Sequence, residues 1–373
     1  MLTGKQFNEK FLGWDYVTLT SDNCELKDGL NIYPSEFMES NTRPHGGFWF
    51  CRFNDFARWV TTSKQVMKYI WKVTIPDDAK VIVMHKRIKC DKFILSDRTE
   101  FWNDASLCKI IVSRDGMKLK HIKKPSRGVC IKAVEQNGEA LQYVKFTSRK
   151  IYKKALKNNP TSLRHIKPQT NRLCKTAIKK DTFSLRYIKK QTTDMCLRAV
   201  KLKGMSLMFV NDKTPEICMT AVKQDGDALR FVEKQTPEIC MAAVKRNGAA
   251  LLFVKNQTDE ICLAAVKRNG NALRFVRKQT DEICLAAVKQ YGDILYWVEH
   301  QINEICMAAV KQDGCILRNV KKQTDEICMV AVKQNGYALQ FVKEQTPELC
   351  IAAVNRNRAA FRFVDKAIRH LFK

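Results

Sequence analysis

The chain has 373 residues, of which 28% are charged, and carries a formal net charge of +28 at neutral pH. No run approaches the ~18–20 apolar residues of a membrane span, and the opening MLTGKQFNEK has no secretory apolar core, so no membrane association is expected. Fifteen cysteines without a single Cys-x-x-Cys pair argue against a zinc site and for a reducing, intracellular setting in which buried thiols act as small apolar side chains.

Taken in chain order, residues 1–103 do not repeat and are rich in aromatics, including Trp14, Tyr16, Phe48, Trp49, Phe50, Phe53, Phe56 and Trp59. The segment Gly46-Gly47-Phe48-Trp49-Phe50-Cys51 reads as a turn entering a strand, and Asp55 to Tyr69 as a helix. Lys72 to Val83 reads as two strands around the turn at Asp77 and Asp78, and Phe93 to Leu95 as another strand. This is a small α+β domain, large enough for one core.

From about residue 104 the pattern changes. Cys108, Cys130 and Cys174 lie on a series of step 22 that continues without a gap to Cys350, and its one empty slot holds Tyr152. Twelve units without insertion or deletion predict a stack in which each unit buries its apolar face on its neighbours. In the unit around Cys240, Thr236 suits an N-cap, Pro237 the first helical position and Glu238 the first turn. Ile239, Cys240, Ala243 and Val244 cover an arc of about 140° when wound at 3.6 residues per turn. Gly248 is expected at the left-handed position that ends a helix. Ala250, Leu251, Phe253 and Val254 then form a second apolar stripe. The reading is a mainly α chain: an α-solenoid of about twelve 22-residue helical hairpins over residues 104–373, with a C-terminal capping helix from Phe361 onward. Helices this short cannot stand alone in water, so stacking must hold them.

Candidate functional residues come from four patterns. The residue between the repeated Leu and the aromatic varies freely, as Arg230, Arg274, Tyr296, Arg318, Gln340 and Arg362, and a variable position on a constant frame suits partner recognition. Residues 101–210 carry 26 Lys and Arg against 6 Asp and Glu, which makes Lys123, Lys124, Lys153, Lys154, Lys189 and Lys190 anion-binding candidates and nucleic acid an alternative partner. The lysine after each Val, from Lys157 to Lys333, forms a ladder that chiefly serves helix C-termini, mirrored by the first-turn glutamates from Glu216 to Glu348. The Gln before each capping Thr is expected to bond between the loops of adjacent units. No catalytic constellation, phosphate loop or cofactor motif is present, and the six histidines are scattered, so no enzyme and no cofactor are expected.

The run from Gly29-Leu30-Asn31 through Gly46-Gly47-Phe48-Trp49-Phe50 to Val73-Thr74-Ile75-Pro76-Asp77-Asp78-Ala79-Lys80-Val81 resembles the leader domain on repeat proteins of amoeba-infecting giant DNA viruses. The Glu-Ile-Cys-x-Ala-Ala-Val-Lys units resemble a helical repeat family of the same viruses, catalogued as a domain of unknown function. The resemblance implies an uncharacterised viral repeat protein acting in the host cytoplasm, in a virus factory or in the virion, with a host or viral protein as partner. It brings no catalytic residues.

Overall fold

A computed structural model describes residues 1–20, 25–34, 37, 47–62, 66–84, 87–146 and 148–372. The chain forms two compact units, Met1–Lys189 and Lys190–Lys373. No helix among the described residues is long and apolar enough to cross a membrane.

The first unit opens with β1 (Leu2–Thr3), α1 (Gly4–Lys10), β2 (Tyr16–Thr20), β3 (Gly29–Ile32), β4 (Phe48–Arg52), α2 (Phe56–Thr62), β5 (Tyr69–Thr74), β6 (Lys80–Val83), β7 (Ile88–Cys90) and β8 (Lys92–Glu100). The strands make one antiparallel sheet in the order β1-β6-β7-β4-β2-β5-β8-β3, with Val17 opposite Lys72 and Phe50 opposite Ile88. Thr3 and Gln6 close a capping box at the start of α1, which lays Phe7 against Phe50, Val81, Cys90 and Phe93 in the core. The strands expected at Phe48, on either side of Asp77 and at Phe93 are present. The helix expected over Asp55 to Tyr69 is shorter: α2 stops at Thr62, and Tyr69 already pairs in the sheet opposite Thr20 and Glu100. The run Tyr69-Ile70-Trp71 is aromatic and β-branched, and its half-buried place in the sheet outweighs its helical spacing.

The sheet ends at Glu100 and the repeats begin at Ala105. The first unit holds α3 (Ala105–Arg114), α4 (Arg127–Gln136), α5 (Arg149–Asn158) and α6 (Asn171–Lys180). The second holds α7 (Thr193–Leu202), α8 (Pro215–Gln224), α9 (Pro237–Arg246), α10 (Asp259–Arg268), α11 (Asp281–Gln290), α12 (Asn303–Gln312), α13 (Asp325–Gln334) and α14 (Pro347–Arg356). Within each unit the successive helices of the repeats, from α3 onward, contact one another in chain order. Thr236 caps α9 by accepting the Ile239 amide, with Pro237 at the first position, and the same cap recurs at Thr214, Thr258, Thr280, Thr324 and Thr346.

Two expectations about the repeat are corrected. The second element is not an α-helix but a six-residue 3-10 helix, Gly248–Phe253 in the repeat of α9. Asn247 ends α9 in an extended conformation (φ −143°, ψ 111°), and its side chain accepts the Ala249 amide, so one residue closes one helix and starts the next. With three residues per turn, Ala250, Leu251 and Val254 are buried while Phe253 is only half-buried. Nor does the repeated glycine adopt a left-handed backbone: the positive-φ glycines among the described residues are Gly13, Gly29 and Gly47. Gly248 is needed for proximity instead. A Cβ there would lie 2.5 Å from the Ala265 carbonyl oxygen of the next repeat, and at Gly138, Gly226 and Gly336 the same distance is 2.6 Å. Arg358 occupies this slot in the last repeat and is exposed. Beyond it the chain adds a short 3-10 helix, Arg369–Phe372, rather than a longer capping helix.

Side-chain amides join one repeat to the next. Gln257 donates to the Phe275 carbonyl at 2.9 Å and accepts the Arg277 amide at 2.9 Å, and the equivalents Gln169, Gln191, Gln235, Gln279, Gln301, Gln323 and Gln345 do the same. The expected bond between adjacent units is thus made. A second set went unanticipated. Gln290, at the end of α11, accepts the Gly270 amide at 2.9 Å and donates to the Val266 carbonyl at 2.8 Å, satisfying a helix end of the preceding repeat. All in-register thiols are free and buried, and burial pushes each of them up, to about 11 for Cys108, Cys130 and Cys284.

Candidate interaction surface

Stacking leaves one face of each 3-10 helix uncovered. Because the helix turns every three residues, its second and fifth positions share that face, and the aromatic sixth position flanks it. Arg230, Arg274, Tyr296, Arg318, Gln340 and Arg362 all fall at the fifth position and all are exposed. Met208 and Leu252 occupy the same slot in their repeats, 45% and 55% exposed.

The fifth position reaches back to the second position of the preceding repeat, 25 residues earlier. Arg230 touches the Met205 sulfur at 3.8 Å, Arg318 pairs with Asp293 at 3.8 Å, and the Arg362 guanidinium lies 5.3 Å from the Tyr337 ring. The arginines also stack on their own sixth-position aromatics: Arg230 on Phe231 at 5.0 Å, Arg274 on Phe275 at 4.6 Å and Arg362 on Phe363 at 4.5 Å. Tyr296 and Trp297 meet edge to face at 5.2 Å and are 67% and 53% exposed. Sequence spacing identified the fifth position but assigned the sixth to the core and missed the second. The signal for the second is the three-residue step between them, which marks a face only once the helix is known to be 3-10.

The first unit carries the same geometry in charged form. Glu139, at a second position and with a side chain only 15% exposed, meets Thr161, Arg164 and His165 of the following repeat. Burial opposes its ionisation, but the hydrogen bonds from Thr161, His165 and Arg164 more than offset this and hold the carboxyl below the usual range. A depressed folded-state pKa contributes stability that is present above the unfolded value of about 4.3 and lost as pH falls through the folded one. Glu139→Gln is therefore expected to cost about 1 kcal/mol at pH 7, modest for charged hydrogen bonds because Arg164 is half exposed. The gap between variant and parent closes below about pH 4. Urea midpoints at both pH values check this, and a gap that persists in acid contradicts it.

The six lysine candidates occupy different elements. Lys123 and Lys124 lie in the loop after the 3-10 helix Gly116–His121, and Lys153 and Lys154 in the middle of α5. Lys189 closes the first unit and Lys190 opens the second. Lys154 pairs with Glu135 at 2.7 Å, and the other five are exposed. The ladder lysines from Lys157 to Lys333 are exposed at the ends of their helices, with the glutamates in the first turns. His45 and His85 fall outside the described residues, among which no group of three or more His, Cys, Asp or Glu could hold a metal ion.

These features define the second unit as a tandem array of helical repeats with a buried, near-constant frame and a variable exposed strip. Residues 193–236, 214–258, 258–302 and 303–346 match the family described as Domain of unknown function (DUF4116), each match spanning about two of the 22-residue repeats. No curated protein and no solved structure matches the chain.

Proposed function

We propose that this chain is a non-enzymatic α-solenoid scaffold that binds a protein through the exposed 3-10 strip of its second unit. The observation that carries the reading is the division of labour within the repeat. Ile, Cys, Ala, Val and Leu positions are buried and nearly invariant, whereas the fifth positions of the 3-10 helices are exposed, the second positions beside them are half-buried or exposed, and both differ from repeat to repeat. Arginine, tyrosine and tryptophan on such a strip are the side chains that dominate protein interfaces. The giant-virus resemblance extends the proposal to a viral protein meeting a host or viral partner in the host cytoplasm. The test is affinity capture from amoebal cells expressing the tagged chain, with the Tyr296→Ala/Trp297→Ala variant in parallel. Because both side chains are more than half exposed, circular dichroism should be unchanged while recovery of the wild-type partners falls at least tenfold. An unchanged set of captured proteins defeats the proposal.

A second reading, electrostatic binding of DNA or RNA, is favoured by the charge excess of residues 101–210 and by the exposure of Lys123, Lys124, Lys153, Lys189 and Lys190. It requires affinity to fall steeply with salt and to vanish on charge reversal at these positions. Filter binding at low salt with no retention of nucleic acid removes it.

A further inference from the structure

The one repeat without the register cysteine borders the most distinctive cleft of the first unit. Between α5 and α6 lies a cavity of about 470 Å³ lined by Ser148, Arg149, Tyr152, Lys153, Pro168, Thr170, Arg172, Leu173 and Thr176. Three of these side chains are cations and none is a carboxylate. Arg149, Lys153 and Arg172 make no ion pair among the described residues, whereas Lys154, one residue on, is paired with Glu135.

The helix ends bordering the cleft are also unlike those of the second unit. There, most α-helices have a threonine side chain on a first-turn amide and a glutamate beside it. In α5 and α6 the N-cap residues Ser148 and Thr170 make no side-chain cap, and neither first turn contains an acid. Two ten-residue helices thus bring uncapped, electropositive N-termini to one cavity. Ser148 itself is only 5% exposed, and its hydroxyl has no hydrogen-bond partner among the described residues. Its oxygen keeps some solvent access, so the hydroxyl is open to a ligand acceptor in the cleft that it lines. Tyr152, Pro168 and Leu173 add apolar surface to the same lining. The glycine slot that draws other repeats together holds Pro160 in the repeat of α5, so the close approach seen at Gly138 is not available between α5 and α6.

The geometry points to a binding site for a phosphate monoester carried on an aromatic body, the phosphate held by Arg149, Lys153, Arg172, the Ser148 hydroxyl and the two helix N-termini, and the ring lying against Tyr152. A phosphate dianion matches three unpaired cations and free amides. The apolar surface and the room beyond one phosphate call for a ring. This site is independent of the strip in the second unit, and either can fail without the other.

Isothermal titration calorimetry on the full chain tests it with three probes: phenyl phosphate, inorganic phosphate and adenosine monophosphate. Phenyl phosphate is expected to bind saturably and at least threefold more tightly than inorganic phosphate. Comparison with adenosine monophosphate tells a nucleotide ligand from a simple aryl phosphate. Arg149→Gln/Arg172→Gln should weaken phenyl phosphate binding at least tenfold, while Lys245→Gln/Lys267→Gln, an equal loss of charge in the second unit, should leave it unchanged. Tyr152→Cys, which restores the residue of the other repeats, should bring phenyl phosphate down to the affinity of inorganic phosphate. Should the double arginine variant lose its circular dichroism signal, Lys153→Met serves in its place with a smaller loss of about threefold. No saturable binding of phenyl phosphate, or equal binding by parent and arginine variant, overturns the site. Equal affinity for phenyl and inorganic phosphate overturns the aromatic part of the assignment.

Discussion

Gly248→Val is expected to lower the stability of the second unit by about 3 kcal/mol, at the upper end of what overpacking a close contact costs. The Cβ of any residue there would sit 2.5 Å from the Ala265 carbonyl oxygen and 3.0 Å from the Asn269 Cβ. Both belong to the next repeat's helix and its cap, so neither can swing aside as the tip of a long side chain would. Relief requires that two repeats separate, which exposes the buried Ala250, Leu251 and Val254 on one side and Ala265 and Val266 on the other. Gly128→Ala is the contrasting case. It lies in the first turn of α4, and the one close contact of its new Cβ would be the Lys109 Cε at 3.0 Å, the mobile end of a lysine, with the Lys109 Nζ and Ser126 Oγ at ordinary distances of 3.5 and 4.0 Å. Alanine favours the helix over glycine, so this change should be neutral or stabilising by about 0.5–1 kcal/mol. Guanidinium denaturation followed by circular dichroism separates the two. Coincident midpoints for Gly248→Val and the parent would mean that the glycine contacts are not what spaces the repeats.

The second large effect is expected at Gln257. Gln257→Leu keeps the volume of the side chain but strands the Phe275 carbonyl and the Arg277 amide, both of which the amide group satisfies at 2.9 Å. Leaving one partly buried carbonyl unpaired, with the more exposed Arg277 amide turned over to water, should cost about 1–2 kcal/mol. Gln257→Glu makes the chemistry explicit. Its ionised carboxylate still accepts from Arg277 but faces the Phe275 carbonyl with no proton to donate. Protonation restores that donor, so the folded state favours the neutral acid and raises the pKa of this group. The variant should then recover stability relative to the parent as pH falls from 7 toward 4; here the gap narrows because the variant gains, whereas at Glu139 it narrows because the parent loses. Parallel denaturation series at the two pH values decide the matter, and a Glu variant equally impaired at both would rule out the bridging role.

The sequence carried the repeat itself with little loss. Cysteine register, threonine caps and first-turn glutamates each have a local cause, and each stands where its spacing put it. The second helix was harder. Over six residues a three-residue and a 3.6-residue step differ by less than one position, so Ala250, Leu251, Phe253 and Val254 read as one stripe until Phe253 is seen to lie half open. The glycine misled for a related reason: close approach and left-handed backbone both exclude a Cβ, and only the neighbouring repeat tells them apart. In the N-terminal domain, the apolar spacing of Tyr69 and its neighbours suits either periodicity, so the pattern predicts a helix where a strand stands. Of the candidate surface, the fifth positions were legible as variation on a constant frame. Their partners 25 residues earlier, and the cleft beside Tyr152, depend on which repeats touch and on caps that are absent, neither of which leaves a motif.

The joints between repeats have a fixed reach along the chain: Gln257 to Phe275 is 18 residues, Gln257 to Arg277 is 20, and the reach-back of Arg230 to Met205 is 25. Cutting out or duplicating a whole block of 22 residues inside the second unit therefore rejoins every donor to an equivalent acceptor. Adding a single residue breaks the fit on both sides of the splice. Whole blocks are thus the one unit of length change that keeps every joint, which gives a physical reason for an array without insertion or deletion.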